Sequence, residues 1–245
     1  MTSLRPYVTP VKSPMLSRSH SALRNAYADD VIDLTYKLME HRNQEIRHRL
    51  EKVGRAASML HRDVLLLIYH FAKVAQGDVL EIGPYIGGST IAAALGARES
   101  GGAKKIISIE AGGRLKHFRI PSRNIFIDLK KNLRRFGVSE SVTLINGHSF
   151  EETTKSAIRQ LLGRGEVGLF TFDADNDVRR DLDCYGDLLA DGCWVVIDDY
   201  CGPAAKATPL RAQVEELVSA GRLVPFGYYG WGTWVGQWRA IVRGQ

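Results

Sequence analysis

The stretch from Val79 to Thr90, VLEIGPYIGGST, decides the fold of this chain. It starts as a short apolar run typical of a buried strand, turns through glycines, and continues into IAAAL, which is typical of a helix. Gly83 and Gly87 permit a tight turn and a close approach of the backbone to a ligand. The first amides of the helix and the Ser89 hydroxyl add hydrogen-bond donors. The pattern therefore predicts a strand, a ligand-binding loop and a helix.

Glu81, near the end of this strand, restricts the kind of ligand. A carboxylate there repels a pyrophosphate and attracts an ammonium or sulfonium cation. The spacing G-x-x-x-G-G, with Tyr85 inside it, also departs from the G-x-G-x-x-G of dinucleotide-binding loops. S-adenosylmethionine carries both cations, so the residues favour it over a nicotinamide cofactor. The loop alone fits a purely structural turn equally well.

Length and composition indicate one globular domain with an extension, since the chain has 245 residues, 44% of them hydrophobic and 24% charged. The longest apolar run, residues 64–71, is too short to span a membrane, and no apolar signal segment follows Met1. Three cysteines at gaps of nine and eight residues match no zinc pattern and are expected to be reduced thiols. These features predict a cytoplasmic protein without a membrane partner.

The net charge of +6 is concentrated at the start of the chain. Residues 1–28 hold four Lys or Arg and no acid before Asp29, which leaves only +2 for the rest. A nucleic-acid partner is therefore less expected than a small molecule, and the basic run 130–135 is interpreted as a solvated helix face. Residues 1–27 are predicted to form a flexible arm.

Hydrophobic periodicity then divides the remaining chain into two parts. Residues 28–77 show helical patterning over 28–52 and 56–75 and are predicted to form a helical cap, which could support a homodimer. In 78–245 strands alternate with helices. Strands are predicted over 79–82, 105–110, 142–146, 167–172 and 193–198, and helices over 89–98, 124–136, 151–163, 178–190 and 208–220.

This alternation predicts an α/β fold, a doubly wound and mostly parallel sheet with helices on both faces. The segment from Leu223 to Val242 holds two strand-like stretches without a helix between them. It predicts a hairpin and an antiparallel last strand, which gives seven strands in all.

In such a sheet, ligands bind at the carboxyl ends of the strands. The predicted strand ends carry unusual side chains: Glu81, Glu110, His148 with Ser149, Asp173, and Asp198 with Asp199. Glu110 could accept hydrogen bonds from two ribose hydroxyls or cap a helix. His148 and Ser149 could bound an adenine, while Ser149 could also cap the next helix in a capping box with Glu152.

Five motifs in this order, EIGPYIGGS, a strand-two Glu, GHS, FDAD and GCWVVIDDY, resemble the class I S-adenosylmethionine-dependent methyltransferases over about residues 60–242. E-x-G-x-Y-x-G-x-S is similar to the catechol and caffeoyl-coenzyme A O-methyltransferases, and IDDY resembles the macrocin-type sugar O-methyltransferases. The resemblance implies a Rossmann-like methyltransferase fold that binds S-adenosylmethionine. The implied cofactor-binding residues are Glu81, Gly83, Tyr85, Gly87, Ser89, Glu110, His148, Ser149 and Asp173.

The resemblance also implies a divalent metal, because the positions of Asp173, Asp198 and Asp199 bind one in those families. Adjacent strands lie about 4.8 Å apart, so these carboxylates can converge on one ion, and Mg²⁺ prefers oxygen ligands. Alternatively, Asp198 and Asp199 begin a polar turn or cap the following helix. The expected reaction is methyl transfer to a hydroxyl of a small molecule that the metal activates, with Asp173 as a catalytic base.

One residue departs from the catechol-type pattern. Those families place a Lys three residues after the first metal Asp, where this chain has Asn176. Deprotonation then rests on the metal and Asp173, or on Asp177 if its loop bends inward. Two alternatives stay open: a metal-independent methyltransferase acting on nitrogen or nucleic acid, and a non-catalytic cofactor-binding protein. Two further expectations remain. Tyr200 is a candidate contact of the acceptor. Residues 111–123 are expected to form a surface insertion, with a cover over the adenosine as the alternative.

Overall fold

The structure, a computed structural model, describes residues 28–240, so the predicted arm over 1–27 and the last five residues lie outside the described part. Three helices precede the sheet, and strands then alternate with helices up to a final hairpin. The helices are α1 (Ala28–Arg42), α2 (Ile46–Ala57), α3 (Arg62–Val74), α4 (Gly88–Glu99), α5 (Ile125–Arg135), α6 (Glu152–Leu161), α7 (Val178–Tyr185) and α8 (Ala204–Ser219). The strands are β1 (Asp78–Ile82), β2 (Ile106–Glu110), β3 (Val142–Asn146), β4 (Val167–Phe172), β5 (Leu189–Ile197), β6 (Leu223–Tyr229) and β7 (Thr233–Trp238).

The seven strands form one sheet in the order β3-β2-β1-β4-β5-β7-β6. The first five strands pair in parallel, while β7 is antiparallel to both of its neighbours. The order reverses between β1 and β4, so the carboxyl ends of these two central strands form the switch point where open α/β sheets bind ligands. The predicted doubly wound, mostly parallel sheet with an antiparallel last strand is confirmed.

Apolar side chains alternate along the strands and supply two cores, one on each face of the sheet. Val79, Leu169 and Val196 face the cap helices, α4 and α5. The residues next to them in sequence, including Leu80 and Phe170, face α6, α7 and α8. Burial on both faces explains why the parallel strands are nearly continuous apolar runs.

The helices before β1 form a layer that packs on α4. Gly96 makes this packing close, because a Cβ there would lie 2.1 Å from the carbonyl oxygen of Tyr69 in α3. Asp63 at the start of α3 accepts a hydrogen bond of 3.1 Å from the Arg42 guanidinium at the end of α1. No helix within residues 28–240 is long and apolar enough to cross a membrane.

Several predicted boundaries differ from the structure, most of all in the cap and between α7 and β5. The cap was predicted to consist of two helices, over 28–52 and 56–75. In the structure the first is interrupted at 43–45 and the second at 58–61. Helix α7 ends at Tyr185 instead of residue 190, and β5 begins at Leu189 instead of 193. Gly186 follows the last helical residue, and the apolar pair Leu188 and Leu189 enters the sheet core instead of continuing the helix face.

Candidate functional site

The switch point brings the loop after β1 against the end of β4. The Asp173 amide donates a hydrogen bond to the Ile82 carbonyl at 2.9 Å, and a Cβ on Gly83 would lie 2.3 Å from the Asp173 carbonyl oxygen. Gly83 also has a φ of +79°. Only glycine satisfies both requirements without strain. We call residues 83–87 the cofactor loop. Its first glycine, Gly83, therefore allows the loop to lie directly against Asp173.

Tyr85 ties the cofactor loop to the segment that follows β2. Its φ is +51°, and its amide donates to the Glu110 carboxylate at 3.1 Å. Its hydroxyl donates to the Ile120 carbonyl. Residues 111–123 are therefore anchored beside the cofactor loop, an arrangement that suits a cover over the adenosine better than a detached surface insertion.

Glu81 is buried beneath the cofactor loop. It accepts hydrogen bonds from the hydroxyls of Thr90 and Ser108, both at 2.6 Å. Burial raises the pKa of this carboxyl group, and the hydroxyl donors oppose the rise. These donors are neutral and belong to two different elements. Glu81 therefore links the start of α4, through Thr90, to β2, through Ser108, below the cofactor loop.

Glu110 ends β2 and is almost fully buried. The Tyr85 amide binds one carboxylate oxygen and the Gly112 amide binds the other, at 2.7 Å. A carboxylate offers about four acceptor positions, so capacity for two ribose hydroxyls is left. Burial raises the Glu110 pKa, while the two amides and the nearby His148 oppose this rise.

The two residues after β3 differ in exposure. His148 is exposed and its ring stacks on Phe150, with the ring centroids 5.2 Å apart. Ser149 is buried, and its hydroxyl hydrogen-bonds to the Asp181 carboxyl group. Helix α6 begins at Glu152 with Glu151 at its N-cap and no side-chain capping bond, so the capping box between Ser149 and Glu152 is wrong. Of the two, His148 is the residue available to an adenine.

Asp173, Asp198 and Asp199, here called the acidic cluster, come together at the ends of β4 and β5. Each offers a carboxylate oxygen, and these three oxygens lie within 4.8 Å of one another. The Thr233 hydroxyl of β7 donates to Asp198. Asp199 has a φ of +58°, and it and Tyr85 are the two non-glycine residues with positive φ between 28 and 240. Such backbone costs of order 1–3 kcal/mol and is concentrated at functional sites.

The acidic cluster holds more negative charge than its surroundings neutralise. Burial, followed by repulsion from Asp198, raises the pKa of Asp173 well above its ordinary value. Burial and the neighbouring Asp199 also raise the pKa of Asp198, although the Thr233 hydroxyl opposes this. Three hard oxygen donors at this spacing fit the ligand preference of Mg²⁺.

A residue that sequence reasoning missed contributes the counter-charge. The Lys206 ammonium lies 2.6 Å from an Asp199 carboxylate oxygen and 3.5 Å from one of Asp173. A tight turn follows β5, in which the Gly202 amide donates a hydrogen bond of 2.9 Å to the Asp199 carbonyl. This turn reverses the chain direction, so the first turn of α8 faces the cluster. A cation in that first turn opposes the helix dipole, but the helix was predicted to begin at 208 and begins at Ala204, so this signal was missed.

The cap and the last hairpin each contribute residues beside the acidic cluster. Leu60, in the link between α2 and α3, lines a small cavity with Glu81, Asp173 and Asp198. Trp231, at the hairpin tip, is 65% exposed and lies edge-on to His61 with the ring centroids 5.2 Å apart. Tyr200, the predicted acceptor contact, is buried with its hydroxyl 3.3 Å from Glu215, so Trp231 is the more exposed of these two aromatic side chains.

Comparison with known proteins agrees with this geometry. A family model described as a methyltransferase domain matches residues 80–200, which run from the cofactor loop strand to the acidic cluster. No curated protein sequence matches the chain. Residues 80–200 therefore form a methyltransferase domain, and the chain has the fold of the class I S-adenosylmethionine-dependent methyltransferases.

Solved structures share the fold at low sequence identity. An O-methyltransferase of tomaymycin synthesis from Streptomyces achromogenes, in complex with S-adenosylmethionine, is 19% identical with a TM-score of 0.54, covering 81% of this chain and 91% of its own. A Bacillus cereus O-methyltransferase in complex with S-adenosylhomocysteine is 15% identical with a TM-score of 0.57, covering 89% and 97%. A Podospora anserina methyltransferase bound to S-adenosylhomocysteine is 16% identical with a TM-score of 0.56, covering 98% and 100%. Within its class, the chain has the fold of the O-methyltransferases.

Proposed function

We propose that this protein transfers a methyl group from S-adenosylmethionine to a hydroxyl of a small molecule, with assistance from a divalent cation held by the acidic cluster. The observation that carries the proposal is the convergence of three carboxylate oxygens from two adjacent strands within 4.8 Å. Repulsion makes such a group unfavourable without a cation. One ammonium, that of Lys206, offsets one of the three negative charges.

The cofactor would lie across the switch point. Glu110 accepts the ribose hydroxyls, the cofactor loop and the start of α4 face the methionine part, and His148 bounds the adenine. Two solved structures of the same fold, from Streptomyces achromogenes and Bacillus cereus, are complexes with the cofactor and with its product, respectively. When bound, S-adenosylmethionine supplies an electrophilic methyl group on a sulfonium.

The acidic cluster would activate the hydroxyl group that accepts the methyl group. Asp173, Asp198 and Asp199 would hold the divalent cation, which when bound supplies positive charge that lowers the pKa of an acceptor hydroxyl. Asp173 lies nearest to the cofactor loop and takes the hydroxyl proton. Thr233 orients Asp198, and Leu60 lines the small cavity beside Asp173 and Asp198.

The test measures S-adenosylhomocysteine formation against a panel of catechols, other phenols and sugars. We expect turnover with at least one hydroxylated acceptor, loss of turnover in excess chelator, and recovery with Mg²⁺. Cofactor binding, measured by calorimetry, should persist in chelator with an affinity on the order of micromolar. Turnover that is undiminished in chelator would reject the metal role, and folded protein without cofactor binding would reject the whole assignment.

One observation favours a second candidate, a nucleic-acid acceptor. Residues 114–135 contain eight Lys or Arg and one Asp, and all eight cations are exposed. Phe118, in the same segment, is 90% exposed and could stack on a base. Methylation of RNA or DNA in chelator, with binding that weakens steeply as salt increases, would favour this candidate over the small-molecule one.

A further inference from the structure

Lys206 occupies the place that a cation shared by the two strand ends would take. Its ammonium nitrogen lies between Asp199 of β5 and Asp173 of β4, at 2.6 and 3.5 Å from their carboxylate oxygens. Asp173 and Asp199 are also two of the three residues that offer oxygens to one metal. The position of the lysine therefore overlaps the candidate metal position.

We propose that Lys206 is a built-in competitor for the divalent cation: its ammonium group neutralises the acidic cluster in the metal-free protein and leaves when the cation binds. This inference rests on the proposed function of the cluster. A divalent ion that coordinates Asp173 and Asp199 at about 2.0–2.1 Å would come close to an ammonium that bridges the same two groups. Two cations at that separation repel each other strongly in a partly buried site.

The surroundings of Lys206 permit this exchange. Its side chain is 29% exposed and extends from the first turn of α8 on a flexible four-carbon stem. Within residues 28–240, its ion-pair partners are Asp173 and Asp199. Once the metal supplies both carboxylates with a stronger counter-charge, no other ion pair holds the ammonium at the cluster.

The inference makes the identity of residue 206 a determinant of metal affinity. Lys206→Met removes the competing charge and keeps most of the stem, so the metal should bind more tightly. Lys206→Arg keeps the charge and adds a planar guanidinium that pairs well with carboxylates, so the metal should bind no more tightly than in the wild type. Lys155→Met is the matched control, because Lys155 also forms an ion pair, with Glu152, on another helix.

The first experiment titrates each metal-free protein with Mn²⁺ alone and follows free Mn²⁺ by electron paramagnetic resonance. We expect Lys206→Met to bind Mn²⁺ at least about tenfold more tightly than the wild type, and Lys155→Met to stay within about twofold. Equal or weaker binding by folded Lys206→Met would overturn the inference while leaving the metal site intact. If neither the wild type nor Lys206→Met binds Mn²⁺, the metal site of the proposed function itself is rejected.

The second experiment needs no variant and keeps the inference testable if Lys206→Met fails to fold. Wild-type protein is briefly acetylated with and without saturating Mg²⁺, and each lysine is quantified by mass spectrometry. Acetylation of Lys206 should accelerate severalfold when Mg²⁺ is present, while Lys155 is unchanged. Saturation with Mg²⁺ and no acceleration at Lys206 would show that the ammonium stays at the cluster and would overturn the inference.

Discussion

The edge of the sheet carries two carboxylate regions that are built in different ways. Glu81 and Glu110, at the ends of β1 and β2, accept hydrogen bonds from hydroxyl and backbone amide groups, so neutral donors satisfy them. The acidic cluster, at the ends of β4 and β5, receives one hydroxyl from Thr233 and one ammonium from Lys206. The first region is therefore stabilised by the protein itself, whereas the second retains negative charge that a ligand can neutralise.

The difference separates effects on stability from effects on activity. Removing a carboxylate from the first region leaves buried donors without acceptors, which costs free energy of folding. Removing one from the second region relieves repulsion and costs the protein little. Substitutions in the first region should consequently lower the stability of the fold, and substitutions in the second should lower activity.

The largest effect is expected for Asp198→Asn. The change removes a metal-ligating charge, so the Mg²⁺-dependent rate should fall by about 10²–10³-fold, or about 3–4 kcal/mol in the activation barrier. The asparagine still accepts the Thr233 hydrogen bond, so the free energy of unfolding should decrease by less than about 1 kcal/mol. Turnover assays measure the rate, and urea unfolding measures the free energy of unfolding. A large loss of stability in Asp198→Asn would contradict the proposed difference between the two regions.

Glu81→Ala should show the reverse pattern. Thr90 and Ser108 are fully buried, and their hydroxyls would lose the acceptor that they share. We expect the free energy of unfolding in urea to decrease by about 3 kcal/mol, from the unpaired donors and the cavity together. Glu81→Gln keeps the shape and one acceptor oxygen and should lose much less. A neutral effect of Glu81→Ala would contradict a structural role.

Glu110→Ala is expected to weaken S-adenosylmethionine binding about tenfold, because it removes a charge-assisted acceptor for the ribose hydroxyls. Glu140→Ala, which changes an exposed glutamate outside the site, serves as the control and should leave affinity unchanged. Isothermal calorimetry gives both affinities. Equal affinities for the two variants would remove Glu110 from the cofactor site.

The smallest effect concerns pH. Burial raises the pKa of Glu81 in the folded protein above 4.5, so the folded state holds this proton more tightly than the unfolded chain. The stability of the wild type relative to Glu81→Gln should therefore fall as pH rises above about 4.5 and level off once Glu81 is ionised in the folded state. Urea unfolding at a series of pH values measures this difference, which would be independent of pH if the Glu81 pKa were unshifted.

Two of the parallel strands were predictable from sequence to the residue, although β3 lies at the sheet edge and β4 in its centre. β3 and β4 have the predicted bounds, 142–146 and 167–172, since each is a short run ended by polar or glycine residues. β5 was predicted too short because Gly192, with a φ of +79°, interrupts its apolar run. In the structure the strand continues across this glycine, and the pairing of β5 with β4 shifts register between Val167 and Leu169.

The site was predictable where it follows strand ends and not where it depends on packing. The acidic cluster follows directly from the parallel order of β4 and β5. Lys206 approaches it from a helix seven residues beyond Asp199, at an angle set by the packing of α8. Likewise, Tyr200 is buried because it packs against Tyr228 of β6 beside α8, whereas Trp231 stays exposed beside His61 of the cap.

The most direct test of the central claim is anomalous diffraction from crystals grown with S-adenosylhomocysteine and Mn²⁺. The account predicts an anomalous peak within about 2.2 Å of carboxylate oxygens of Asp173, Asp198 and Asp199, with Lys206 turned away from the cluster. Bound S-adenosylhomocysteine with no such peak, and Lys206 still between Asp173 and Asp199, would contradict it.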